Sequence, residues 1–313
     1  MLRKVALAGI GKIALDQHVP AIAASPDWEL AATVSRQGSV DGVKSYDDIG
    51  RLLAEEPDIE CLSLCLPPVP RFDYAAAALR AGRHVMLEKP PGATLAECHA
   101  LEALAQEAGV SLYATWHSRE AAQVDATKAW LSGKALRRLT ITWKEDVRRW
   151  HPGQKWIWQA GGLGVFDPGI NALSILTEIL PQPAHLTAAT LEVPKNCETP
   201  IAAALEFYYP GGTELRADFD FRQEGEQIWS MAIETDEGSL LLSEGGANLA
   251  IDGTPQALAG EEGQPLGGEY PRLYRKMAKL VETRSSDVDL SPMVHVADAF
   301  LLGKRITVAP FHE

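Results

Sequence analysis

The feature that most constrains the fold is a strict alternation of short apolar strands and helices over the first 115 residues. Val5–Gly9 reads as a buried strand, followed by a helix over 12–24 and a strand over 30–35. A helix at 47–54, strand at 59–65, helix at 71–81, strand at 83–87, helix at 94–108 and strand at 110–115 continue the pattern. Strands separated by helices of this length cannot close as hairpins, so they predict a parallel sheet covered on both faces. After residue 119 the pattern changes. A helix at 120–132 leads to a strand at 137–145, a Gly- and Trp-rich loop and a helix at 168–180. Short alternating segments with glycine turns over 184–257, such as 203–207, 215–219 and the strand pair in 233–240, predict a mainly antiparallel sheet. Two amphipathic helices, near 270–284 and 292–304, close the chain.

The turn after the first strand reads Ala8-Gly9-Ile10-Gly11-Lys12-Ile13-Ala14, a G-x-G-x-x-A. Gly9 permits the tight turn, Gly11 lets the backbone approach a pyrophosphate, and Ala14 keeps helix and strand close. The helix N-terminus offers free N–H groups and a positive dipole end to phosphates. Lying between strand one and helix one, the motif predicts a dinucleotide site at Gly9, Ile10, Gly11, Lys12 and Ile13. The expected fold is therefore α/β. An N-terminal Rossmann domain occupies 1–119, and a C-terminal α+β domain with a mainly antiparallel open sheet occupies 120–313. The last helix is free to return to the first domain.

About 20 residues on, where NAD sites place an Asp or Glu, the chain has Ser35 and Arg36. A hydroxyl and a guanidinium suit a 2′-phosphate, and no carboxylate repels it; a plain polar loop start is the alternative. The expectation is NADP preferred, with NAD also accepted. Pro67, after the third strand of the alternation, joins the cofactor candidates together with Glu88 and Lys89. The strand ending at Leu87 runs into Glu88-Lys89-Pro90-Pro91, at the strand end where open α/β sheets bind ligands. Lys89 facing a substrate and a surface Glu88–Lys89 pair are both open readings of this fragment.

These motifs, followed by Gly161–Asn171, resemble the glucose–fructose oxidoreductase/inositol dehydrogenase (Gfo/Idh/MocA) family over the whole chain. The segment Trp143–Gln154, together with Asp167–Asn171, is similar to members that oxidise L-arabinose and D-galactose at C1. The resemblance implies an NAD(P)-dependent oxidoreductase and a small-molecule aldose substrate, with Asp167, Lys89 and Asn171 as catalytic residues. The family pattern ends in His where this chain has Asn171, which can hold a hydroxyl but cannot take its proton. Asp167 and Lys89 are then the candidates for the proton. Asp167-Pro168 also fits a helix N-cap followed by Pro at the first helical position. Asn171 lies four residues on, a spacing that shares one helix face.

Sugars need an apolar wall with a polar handle, and six of the eight Trp lie between 116 and 158. Trp130 and Trp143 read as core, whereas part of the run 150–158 reads as pocket lining. His117, Glu145, Trp150, His151 and Trp229 complete the substrate candidates with Lys89, Asp167 and Asn171. His18, His84, His99, His185, His295 and His312 are expected to be structural or solvent-facing. Other readings of the same residues are a family dehydrogenase for an inositol, amino sugar or other aldose, and a non-catalytic NADP(H) sensor. A third is an enzyme that retains and cycles its cofactor.

At 313 residues, two domains with proper cores are expected. Twenty-nine Lys and Arg against 42 Asp and Glu give a net charge of −13, a poor balance for binding nucleic acid. Arg137, Arg138, Lys144, Arg148 and Arg149 are interleaved with Glu145 and Asp146 and predict a salt-bridged face. The four cysteines predict buried thiols in a reducing compartment, and no metal site. Lys12 and Asp16–His18 interrupt the apolar N-terminus too early for a signal peptide, and no apolar run reaches the ~18 residues that span a bilayer. The expectation is a cytoplasmic protein with no membrane partner. A homodimer is expected if both faces of the second sheet are apolar.

Overall fold

The structure, a computed structural model, describes residues 2–257 and 268–312. The chain divides into two units, Met1–His117 with Leu266–Leu290, and Ser118–Pro265 with Ser291–Glu313. The division differs from a single cut at 119. The helix that returns to the first unit is the penultimate one, because its apolar face belongs to that unit's core.

In the first unit, β1 (Arg3–Ala8), β2 (Trp28–Val34), β3 (Lys44–Tyr46), β4 (Cys61–Leu64), β5 (His84–Leu87) and β6 (Leu112–Ala114) form a parallel sheet in the order β3-β2-β1-β4-β5-β6. The connections contain α1 (Val19–Ala23), α2 (Ile49–Glu55), α3 (Pro68–Arg80) and α4 (Leu95–Ala108). The chain order reverses between β1 and β4, the place where such sheets bind ligands. Ala6, Ala8, Leu62, Leu64 and Val85 pack one face, and Val5, Leu7, Cys61 and Met86 the other. The sequence reading misses β3, which has three residues. It also starts α3 late, because a first turn tolerates proline at Pro68. The expected first helix is widened into a π-turn over Ala14–His18 ahead of α1. Pro20 has no amide to bond the Asp16 carbonyl, which disfavours a regular α-helical register there.

The second unit holds α5 (Val124–Leu131), β7 (Leu136–Lys144), the single turn α6 (Val147–Trp150) and α7 (Phe166–Ile179). Strands β8 (His185–Pro194), β9 (Ala202–Tyr208), β10 (Glu214–Asp220), β11 (Ile228–Thr235), β12 (Gly238–Ser243), β13 (Asn248–Ile251) and β14 (Thr254–Pro255) follow. Helix α8 (Glu269–Thr283) belongs to the first unit, and α9 (Ser291–Leu302) and β15 (Lys304–Val308) to the second. Among the described residues the sheet order is β14-β13-β12-β11-β7-β10-β9-β8-β15, antiparallel except for the pairs β10–β7 and β15–β8. The expected last helix overruns into β15. At Gly303 a Cβ would stand 2.3 Å from the Ala299 carbonyl, so the helix ends there.

Helices α5, α7 and α9 pack on β12, β7 and β8. The cross-strand neighbours Thr140, Arg216, Glu206 and Ala232 share a face with the Arg138 bridges to Glu214 and Glu234. That face is polar around Arg138 and also carries the exposed side chains of Tyr208, Leu241 and Ile306. The basic cluster is salt-bridged: besides Arg138, Lys144 pairs with Asp218, and Arg148 with Asp146.

Candidate active site

The first unit gathers its candidates at the C-terminal ends of its parallel strands. Gly9 turns at φ +86° directly after β1, and a Cβ there would stand 2.8 Å from the Leu66 nitrogen. The turn therefore excludes any larger residue. Gly11 differs, since a Cβ at Gly11 would meet nothing within 4 Å. No protein packing requires that glycine, so the space it leaves suits an external group approaching the backbone. The first helical bond runs from the Leu15 N–H to the Gly11 carbonyl (3.1 Å), leaving earlier N–H groups at the helix end for phosphate. Lys12 and Ile13 are exposed at this end, and Ile10 is buried. After β2, Ser35 Oγ accepts the Gln37 and Gly38 N–H groups at 3.2 and 3.1 Å. With both acceptor positions occupied, its hydroxyl is left as a donor. Arg36 and Pro67 are exposed. These residues fit a dinucleotide.

Glu88 and Lys89, at the end of β5, are not a surface pair. Glu88 is buried, and its Oε1 accepts the Tyr270 hydroxyl (2.7 Å) and pairs with His18 Nε2 (3.0 Å). Its Oε2 accepts the Lys89 N–H at 2.8 Å. His18 Nδ1 lies 2.7 Å from the Tyr274 hydroxyl. Burial opposes both charges, yet the His18 hydrogen bond and charge hold the Glu88 carboxyl well below the usual carboxylate range. Burial likewise opposes the His18 charge, but Cys65, Tyr274 and Glu88 carry its imidazole well above the ordinary histidine value. Buried Arg71 of α3 donates to the carbonyls of Leu66, Glu88 and Pro90 and so clamps the backbone on either side of Lys89. Lys89 is half-buried and followed by a cis proline. The His117 imidazole lies 2.7 Å from Glu269 and stacks on Tyr270.

In the second unit, Glu145 follows β7 and His151 follows α6, while Asp167 sits within the first turn of α7. His151 Nε2 is 3.3 Å from Glu145 Oε1, and its Nδ1 is 3.5 Å from Asp167 Oδ2. Trp229 Nε1 donates to Glu145 Oε2 at 2.8 Å, and the Trp150 ring packs edge-on to Trp229 at 5.3 Å. The N-cap of α7 is Val165, not Asp167, so the capping role considered for Asp167 does not hold. Gly169 serves packing rather than access to Asp167: a Cβ there would stand 2.8 Å from the Phe219 ring, so glycine lets α7 lie on β10. Asn171 is half-buried one turn after Asp167 on α7. Trp143 is core as expected, but Trp130 is half-buried beside Lys134. Trp158 packs on Phe221 and Phe311. Among the described residues no His, Cys, Asp and Glu are grouped to hold a metal ion, and no helix is long and apolar enough to cross a membrane.

The sequence reading misses Arg71, His18, Tyr270, Tyr274 and Glu269. A usable signal was present in part: Tyr270 and Tyr274 are four apart on one face of α8, and His18 interrupts an otherwise apolar helix face.

A six-stranded parallel sheet in this order with a G-x-G-x-x-A turn after β1 forms a dinucleotide-binding Rossmann unit, and Glu88-Lys89-Pro90 stands at the ligand-binding end of β5. Residues 3–115 match the family described as "Oxidoreductase family, NAD-binding Rossmann fold". The whole chain is 42% identical over 322 residues to a galactose 1-dehydrogenase of Pseudomonas fluorescens, covering 99% of each. The chain belongs to the Gfo/Idh/MocA family. Among solved structures it is similar to a D-galactose-1-dehydrogenase protein from Rhizobium etli, with TM-score 0.94 and 53% identity over 99% of this chain and 98% of that one. A 3-ketoreductase from Actinomadura kijaniata, solved with NADP and TDP-benzene, shares the fold at TM-score 0.83 and 20% identity over 98% of this chain and 100% of that one.

Proposed function

We propose that the protein oxidises D-galactose, L-arabinose or both at C1, giving the aldonolactone, with NADP preferred and NAD accepted. The observation that carries the reading is the buried Asp167 carboxylate of α7, held beside the His151 imidazole. The full-length likeness to galactose dehydrogenases supports the substrate class. The two sugars share the hydroxyl arrangement at C2, C3 and C4, so one set of contacts serves both.

Gly9, Gly11 and the following helix end bind the pyrophosphate, and Ser35 and Arg36 bind a 2′-phosphate. The bound nicotinamide supplies the acceptor for the C1 hydride. Asp167 takes the C1 hydroxyl proton as general base. The Lys89 ammonium stabilises the negative charge that develops on that oxygen. Asn171 orients the reacting hydroxyl through its amide. Glu145, Trp150, Trp229 and His117 shape the sugar's surroundings.

Four free cysteines support a reducing, cytoplasmic location. The reading also carries a homodimer, supported by the exposure of Tyr208, Leu241 and Ile306 on the second unit's strands; a monomeric mass in micromolar solution overturns that part. The decisive experiment is a panel of aldoses, inositols and amino sugars with NADP+ and NAD+, scored by reduced-cofactor absorbance. Stoichiometric reduction with D-galactose or L-arabinose is expected. Silence across the aldoses refutes the reading, and stoichiometric reduction separates net oxidation from sensing or internal cycling.

A further inference from the structure

Asp167 and Glu145 are two carboxylates buried in one unit, 4% and 5% exposed. A single imidazole stands between them. Each ring nitrogen of His151 faces one carboxylate, Nδ1 towards Asp167 (3.5 Å) and Nε2 towards Glu145 (3.3 Å). Phe221 flanks the ring at 5.5 Å, and Trp229 fixes the far oxygen of Glu145. The spacings are at the long end for hydrogen bonds, as they often are in uncomplexed acid–base sites.

Two buried carboxylates repel each other, and a protonated ring between them offsets that repulsion. An imidazole placed this way takes a proton on one nitrogen and releases one from the other without turning. Asn171 offers no such route, because an amide does not accept a proton in this range.

We infer that His151 is a positioning residue for Asp167 rather than a ligand for a sugar hydroxyl. It holds the base in place and takes its proton, with Glu145 stabilising the imidazolium that forms. The inference rests on the reading of Asp167 as the base. When the C1 hydroxyl is oxidised, its O–H bond breaks and the proton joins Asp167. The C1–H pair leaves as hydride to the oxidised nicotinamide nucleotide, and the C1–O bond becomes C=O. Asp167 passes this proton to the Nδ1 lone pair of a neutral His151 whose Nε2–H faces Glu145 Oε1, and the imidazolium so formed stands between the two carboxylates. Asp167 is a carboxylate again, and His151 returns to its neutral form by releasing one proton to water.

The test is steady-state kinetics of full-length H151A, H151Q, E145Q and D167N on whichever aldose the unaltered enzyme oxidises, with and without free imidazole. H151Q and E145Q should lose about 10²-fold in kcat while the sugar KM moves less than about threefold. Free imidazole should restore at least about tenfold of the lost kcat in H151A and none in H151Q, whose side chain fills the gap. If near-ultraviolet circular dichroism shows H151A unfolded, the kcat–KM split of H151Q decides. A raised KM with kcat unchanged, or an H151A enzyme that is folded but not rescued, overturns the relay alone. Normal turnover of D167N, or an unaltered enzyme silent on every aldose, overturns the underlying reading and the relay with it.

Discussion

Replacing Glu88 by Gln tests whether the buried centre of the first unit is an ion pair. The substitution keeps the volume and one carbonyl oxygen, so either the Tyr270 or the Lys89 contact survives, but the anion beside His18 is gone. Removing one partner of a buried pair costs about 3–5 kcal/mol. The surviving contact favours the lower end, about 3 kcal/mol, which for a chain of this size lowers Tm by about 4–5 °C. The pH dependence carries the sharper test. The His18 pKa is raised in the folded protein, so its contribution is full below its ordinary value of 6.5 and is lost as pH rises through the folded pKa. The Glu88 pKa is lowered, so its contribution is full above its ordinary value of 4.5 and is lost as pH falls through the folded pKa. Both contributions are complete only between 4.5 and 6.5. In E88Q the Glu88 dependence is gone, and the His18 dependence is weakened because the imidazole loses one of the three groups that hold its proton. The gap in Tm between the two proteins should therefore be widest near about pH 5.5 and narrow towards about pH 9. Other titrating groups are common to both proteins and cancel in the difference. Circular-dichroism melts across that range measure it. A gap that is constant with pH, or that widens in alkali, refutes an ionised His18–Glu88 pair.

Further expectations concern single positions. Ser35→Asp keeps an acceptor for the Gln37 and Gly38 amides while placing a carboxylate at the ribose; it should shift the kcat/KM ratio towards NAD+ by at least about tenfold, and an unchanged NADP+/NAD+ ratio would sink the assignment. Asp167→Asn should lower kcat by about 10²–10⁴-fold, read as reduced-cofactor absorbance with D-galactose or L-arabinose; near-normal turnover excludes Asp167 as the base. Gly169→Ala drives a methyl group against the Phe219 ring and should cost about 1–3 kcal/mol, measured by urea unfolding; an unchanged midpoint would mean that α7 shifts on β10 without penalty.

The cofactor half was legible because its signals are local. The spacing of Gly9, Gly11 and Ala14 falls within one strand–turn–helix unit, and strict alternation over 115 residues leaves little choice of sheet. What was not legible arises from contacts between residues far apart in sequence. His18, Glu88 and the pair Tyr270 and Tyr274 come from three regions of the chain, and only the return of α8 brings the tyrosines to the first unit. The polar outer face of the second sheet escaped for a related reason. Alternation shows that one face differs from the other, but strand pairing decides which neighbours share it.

Asn171 shows the same difference within the proposed site. Sequence order exposes the departure from the family's histidine, since it falls within a five-residue motif. A replacement imidazole is not bound to that motif: His151 lies 16 residues earlier, after a single turn of helix that the sequence does not announce, and reaches Asp167 from a different element. Its proximity to Glu145 then turns what looked like two separate hydroxyl contacts into one connected acid–base unit. A histidine that touches only substrate can be exchanged for another hydrogen-bonding side chain at a cost in KM. One that takes a proton from a neighbouring carboxyl, as proposed for His151, cannot, because an amide does not accept it.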